Sequence, residues 1–300
     1  MTPALAHLGE DRLIGLLTRR WPRAGGRLRT VALGVGDDCA AIRVPGSRRL
    51  LLLKTDAIVE AVHFRPGETP SKIGWKALAR CLSDIAAMGG EPDAALVCLA
   101  VPPETPLARL RGIYRGLGRC ATRFNVALAG GETVRARELS LAITLTGWVA
   151  ADHMARRSGA RPGDALCVTG RLGGSGGGHH LAFEPRLEEA QWLVRHARPS
   201  AMMDISDGLA SDLPRLCRAS GVGARIDPDT IPVRRGATLQ QALSEGEDYE
   251  LLFAIPPSRL RLIRRRWPFH VPVSVIGEIT ASRGIRPPLG SHGYDHFRKP

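Results

Sequence analysis

The chain has 300 residues, 44% of them hydrophobic, which is enough for two packed cores, and 42 basic against 29 acidic side chains leave a net charge of +13 at pH 7. No run of 18 apolar residues and no leader-like N-terminus marks a membrane span or an export signal, so a cytoplasmic protein with no membrane partner is expected. Nucleic acid is not an expected partner either, because aromatics make up only 5% and the arginines are scattered apart from RLRLIRRR near position 263. Six widely spaced cysteines without a CxxC pair read as reduced core thiols.

In chain order, LRTVALGVGDD, CAAIRV and LLLLKTD read as short strands joined by tight turns, with carboxylates where the strands end. A helix is expected from Thr69, with Pro70 at its first position, to Met88, where Gly89 and Gly90 stop it. Asp84 then falls at the border of its apolar arc, and the nearest local partner is Arg80, one turn earlier. Residues 107 to 124 form a second amphipathic helix, NVALAGG a strand running into a glycine turn, and ELSLAITLTGWV a half-buried strand that completes a first domain near residue 150. Beyond it come a turn at ARPGD, a strand at DALCVTG, a flexible glycine-rich loop at RLGGSGGGHH, and a helix with an internal proline at DGLASDLPRLCRAS. Strands at VGARID, YELLFAI and VSVIGEI build the second domain.

Thirteen acidic residues lie in six short segments, five of them with glycine, against the basic character of the whole. These are GVGDD (Asp37, Asp38), TDAIVEAVHF (Asp56, Glu60, with His63), LSDIAAMGG (Asp84), AGGET (Glu132), MDISDGLASD (Asp204, Asp207, Asp212) and SEGEDYEL (Glu245, Glu247, Asp248, Glu250). Carboxylates repel unless cations stand between them, so the clusters suggest hard metal ions and a phosphorylated ligand. Two familiar phosphate cradles are absent. GVGDD carries only two glycines of the dinucleotide fingerprint, with acids where bare amides are needed, and no GxxxxGK[ST] occurs. Taken singly, each feature has an ordinary reading: Ser206 and Asp207 as helix caps, Glu247 and Asp248 as turn residues, His63 as a core histidine.

As a set, GVGDDCAAI, KTDAIVEAVHF, IGWKALARCLSDIAAMGG, ALAGGET, RRSGARPGD, MDISDGLASDL, GEDYELLF and the terminal GYDHF resemble the thiamine-monophosphate kinase family, of the aminoimidazole-ribonucleotide-synthetase-like superfamily. The resemblance implies an α+β fold of two domains, 1–150 for ATP, metal and dimer contacts and 151–300 completing the cleft, with mixed and antiparallel sheets flanked by helices. It also implies a homodimer that transfers the ATP γ-phosphoryl group to thiamine monophosphate with several Mg²⁺ ions. By motif, Asp37, Asp38, Asp56, Asp84, Glu132, Asp204 and Asp207 would hold metal. Thr55, Tyr114, Gly130, Gly131, Arg157 and Ser206 would meet ATP, and His63, Glu247, Asp248 and Tyr294 would face the substrate. Five departures stand out: CLSD for the usual NLSD, Glu132 for an aspartate, Lys54 for a small hydroxyl residue, Leu172-Gly173-Gly174-Ser175 for the usual LGDS, and a shortened stretch between His196 and Met203. Two other readings stay open on this evidence, a superfamily enzyme acting on another small molecule and a nucleotide-binding protein without turnover.

Overall fold

In the computed structural model, residues 9–19, 30–290 and 292–297 are described. The first half follows the strand and turn signals. β1 (Val31–Leu33), β2 (Ala40–Arg43) and β3 (Arg49–Val59) form an antiparallel meander. The helix expected from Pro70 is α2 (Pro70–Ala87), with Thr69 before it and Gly89 at φ 70 beyond it. Then follow β4 (Glu91–Val101), α3 (Leu107–Arg123), β5 (Ala127–Arg135) and β6 (Ser140–Ala150), preceded by a short helix α1 (Glu10–Thr18). The six strands lie in the order β1-β2-β3-β6-β4-β5, with only the β4–β5 pair parallel.

β4 was not foreseen, and the glycine turn in NVALAGG is not a turn. Gly130 and Gly131, at φ 148 and 154, lie inside β5, where a Cβ on Gly131 would sit 1.9 Å from the Val97 carbonyl oxygen. Only a residue without a side chain lets the two parallel strands approach there.

α2 is buried on nearly every side. One side meets the sheet through β3, β4 and β6, another meets α3, and a third meets the second half of the chain. Gly74 and Gly116 make the α2–α3 approach possible, since a Cβ on either would fall 1.9 Å from a carbonyl oxygen of the other helix. The opposite face of the sheet is uncovered: Leu53 and Leu96 stand exposed on it, and β5 is exposed along its whole length.

The second half holds β7 (Ala165–Thr169), α4 (Leu187–Trp192), β8 (Ala201–Asp204), α5 (Leu209–Ser220), β9 (Gly223–Ile226), α6 (Leu239–Ser244), β10 (Leu251–Ile255), α7 (Pro257–Arg266), β11 (Val273–Thr280) and β12 (Gly284–Arg286). Its strands run β12-β9-β11-β7-β10-β8, antiparallel except for β9–β12. The expected α+β class with mixed sheets and flanking helices therefore holds. β7 and β10 are buried on both faces, so they read as unbroken apolar runs. One core joins the halves, with Leu78 and Ile85 of α2 in the same cluster as Phe183, Leu187, Met202 and Phe253. The short stretch after His196 is bridged by a π-helical turn at Leu193–Ala197, and Arg198 at φ 52 turns the chain straight into β8.

Candidate active site

A cleft of about 830 Å³ opens between the two halves. Period two along β3 puts Lys54 and Asp56 on the face under α2, while Arg80 and Asp84, four apart, project from one side of that helix. Two crossed ion pairs result. Lys54 Nζ lies 2.9 Å from Asp84 Oδ1, and Arg80 Nε lies 3.2 Å from Asp56 Oδ2. The local pairing of Asp84 with Arg80 is thus corrected: the strand supplies a nearer cation, and Arg80 is drawn to Asp56.

Asp38, Asp84 and Asp204, from the loop before β2, from α2 and from the end of β8, bring carboxylate oxygens within 4.8 Å of one another, and all three are buried. Arg157 donates to Asp38 Oδ1 from Nε at 3.0 Å and Nη2 at 2.6 Å, while its backbone N–H reaches Asp37 Oδ1 at 3.1 Å. The Ser83 hydroxyl donates to Asp204 Oδ2 at 2.5 Å. Asp38 Oδ2 is buried with no hydrogen-bond partner among the described residues. Burial and then the Asp38 charge push Asp37 up to about 7 and Asp204 up to about 6. Burial likewise lifts Asp84 well above the usual carboxylate range against the pull of Lys54. Burial opposes the charge on Lys54, but the Asp84 and Asp56 carboxylates outweigh it and raise the amine, which keeps its proton.

The MDISDGL segment enters from the other side. Asp212, fully buried, accepts the Ser206 and Asp207 backbone N–H groups at 3.0 Å each, so it organises the turn that carries them. Arg215 binds both Asp207 and Asp212. Ser206, Asp207 and Thr55 line the cleft with Asp37, Asp38, Asp56, Asp84, Arg157 and Asp204. Helix α1 closes one end, its Asp11 paired to Arg215 and Arg218.

A second group lies behind Tyr249, which itself lines the cleft. Lys76, fully buried, places Nζ 2.6 Å from Glu247 Oε1 and 2.6 Å from His180 Nδ1, and donates to the His63 carbonyl at 2.6 Å. Burial raises Glu247, but the His180 hydrogen bond and the Lys76 charge hold it down to about 2. Burial and the nearby Arg80 charge lower His63 to about 4, and its Nδ1 accepts the Val59 N–H at 3.1 Å, so the ring is neutral. The GYDHF tail closes over this region: Tyr294 N–H donates to the Asp207 carbonyl at 2.8 Å, and the His296 ring lies 5.2 Å from that of His63.

Several expected site residues are not in this cleft. Asp248 turns away and accepts the Gly173 N–H at 2.9 Å, while Glu245 accepts from Gly174 at 2.6 Å and Gly176 at 2.8 Å. The glycine-rich loop is therefore pinned by carboxylates instead of flexible, and Asp248 serves that anchoring because Glu247 and Tyr249, at φ 56 and 53, reverse the chain on either side of it. Glu132, in register with Cys98, stands with Gly130 on the uncovered sheet face, its carboxylate accepting the Thr133 N–H at 2.7 Å. Gly131 lies beside them in β5, and Tyr114 is exposed on α3, outside the cleft lining. Sequence reasoning missed Lys76 and His180 as partners of Glu247, because no local pattern ties residues so far apart in the chain.

Residues 36–149 match the family described as AIR synthase related protein, N-terminal domain, and residues 161–289 match its C-terminal domain. Curated relatives named thiamine-monophosphate kinase include one from Rhodopirellula baltica, 39% identical over 86% of this chain and 87% of its own length, and one from Salmonella typhimurium, 35% identical over 95% and 98%. A solved structure described as AaThiL complexed with AMPPCP and TMP superposes with a TM-score of 0.86 at 28% identity, covering 99% of both chains.

Proposed function

This chain belongs to the thiamine-monophosphate kinase family, and we propose that it transfers the γ-phosphoryl group of ATP to the phosphate of thiamine monophosphate, giving thiamine diphosphate and ADP. The observation that carries the reading is the convergence of Asp38, Asp84 and Asp204 within 4.8 Å in an interdomain cleft. The AMPPCP and TMP held by the superposed AaThiL support the choice of substrates.

The donor set fits magnesium. Three carboxylates offer hard oxygens, and the orphaned, buried Asp38 Oδ2 lacks the partner that such an atom requires. Asp38, Asp84 and Asp204 would hold the ion, with Asp37, Asp56 and Asp207 at its margin. When bound, Mg²⁺ would neutralise phosphate charge and help to bring two polyanions into line.

The chain's own groups do the remaining work. Arg157, beside Asp38 in the cleft, would bind phosphate with its fork, whose geometry suits phosphate oxygens. Thr55 and Ser206, which line the cleft, would meet the nucleotide. The acceptor oxygen is already ionised at neutral pH, so no general base is required. In this reading His63, kept neutral, Glu247 and Tyr294, which lie beside the cleft and do not line it, would face thiamine monophosphate, the tyrosine offering a ring face to the cationic heterocycle.

The proposal includes a homodimer in the cytoplasm, where ATP is at hand. The uncovered sheet face, with Leu53 and Leu96 exposed, supports pairing with a second copy. The nucleotide roles of Tyr114, Gly130 and Gly131 and the metal role of Glu132 then depend on that pairing. Incubation of the purified protein with ATP, Mg²⁺ and thiamine monophosphate is expected to yield thiamine diphosphate. ADP release without thiamine diphosphate would overturn the substrate assignment.

A further inference from the structure

Three carboxylates meet in the cleft, and two of them already touch a fixed cation. Arg157 forks onto Asp38 Oδ1, and the Lys54 ammonium lies 2.9 Å from Asp84 Oδ1. The third, Asp204, receives among the described residues only a neutral hydroxyl, from Ser83. Among the nearby acids, Asp56 is matched by Arg80, whereas Asp207 and Asp212 share Arg215, and Asp37 accepts a backbone N–H of Arg157, so these acids add no positive charge to the group. Taken alone and with its carboxylates ionised, as a bound cation would require, the Asp38, Asp84 and Asp204 group with its two cations carries one net negative charge. One divalent ion makes it positive by one unit, and a second would make it positive by three.

We infer that the Lys54 ammonium stands in for one divalent cation, so that each chain takes one ion fewer in this cluster than it takes once Lys54 is replaced by a small neutral residue. The inference rests on the metal-dependent reading above. The geometry is specific to this residue. The side chain lies partly buried between β3 and α2 at the cleft wall and is aimed from the strand at the carboxylate group, and its charge stands 2.9 Å from one of the two Asp84 oxygens. An ammonium satisfies that oxygen without demanding the six-coordinate oxygen shell of magnesium. It also repels a second divalent ion across a few ångströms of poorly solvated space.

The test counts Mn²⁺ bound to metal-free protein, with no nucleotide present, by the electron paramagnetic resonance signal of the free ion. Native protein and Lys54→Arg are expected to bind equal numbers of ions, and Lys54→Ser one more per chain. Circular dichroism reports whether Lys54→Ser is folded; if it is not, Lys54→Gln, which keeps much of the stem, is read in its place with the same expectation. An equal, nonzero count and equal affinity in native protein and the neutral variant overturn the lysine inference alone. If Mn²⁺ binds to neither, the metal-dependent reading falls with it.

Discussion

Replacing Asp204 with asparagine should stabilise the metal-free protein while removing its turnover. Asp204 is 2% exposed, and among the described residues its carboxylate forms no ion pair and has one side-chain hydrogen bond, from Ser83. Burial and the Asp38 charge lift its pKa from 3.8 to about 6. Below about pH 4 the group is neutral both folded and unfolded and contributes nothing; between 4 and 6 the unfolded chain ionises first, so stability is lost as pH rises; above about 6 the whole penalty is present. A rise of about two units at 1.36 kcal/mol each amounts to about 3 kcal/mol. Asparagine keeps an oxygen for the Ser83 hydroxyl and drops the charge. The expected gain at pH 8 in EDTA is about 1–3 kcal/mol, or roughly 2–4 °C of Tm for each kcal/mol, and it should vanish near pH 4. Differential scanning calorimetry at pH 4, 6 and 8 measures it, and Mg²⁺ should narrow the gap by stabilising the native protein alone. Asp37, raised to about 7, gives both proteins the same additional slope, so the difference isolates Asp204. An unchanged Tm at pH 8, or a gain equally large at pH 4, would refute the electrostatic account.

The neighbouring carboxylate should gain less: Asp84→Asn drops a charge that burial disfavours but strips Lys54 of its 2.9 Å partner, so its gain in urea unfolding at pH 8 should fall below that of Asp204→Asn, and an equal or larger gain would contradict the ion pair. Gly293→Ala would put a Cβ 2.1 Å from the Asp207 carbonyl oxygen and push the GYDHF tail outward. Its KM for thiamine monophosphate should rise about tenfold or more with Tm little changed, and an unaltered KM would place the tail outside the substrate path. Leu96→Glu sets a charge in the exposed sheet face and should yield monomers in sedimentation velocity; a persisting dimer would mean that another surface pairs.

Local chemistry made much of the chain legible. Pro70 and Gly89 bracket α2 because one fixes φ at a helix start and the other adopts the left-handed turn that ends it. β6 shows alternation because one face packs on the helices, with Leu141, Ile143 and Leu145 buried in turn. β4 shows none: Leu96 and Cys98 on the uncovered face are as apolar as Ala95, Val97 and Leu99 beneath, so period two is erased. The loop RLGGSGGGHH looked mobile by composition, yet its N–H groups bind a carboxylate more than sixty residues away.

The sequence alone determined which chemistry was available: acids beside glycines at strand ends and helix starts, too many for structural capping, in an order that matches one family. Tertiary structure decided who faces whom. It set Lys54, and not Arg80, against Asp84, turned Asp248 to the glycine loop while Glu247 met Lys76, and left Glu132 on an open sheet face. The reason is range. Propensity and periodicity act over a few residues, whereas a buried carboxylate's charge state depends on the nearest cation within a few ångströms, and packing chooses that cation from anywhere in the chain.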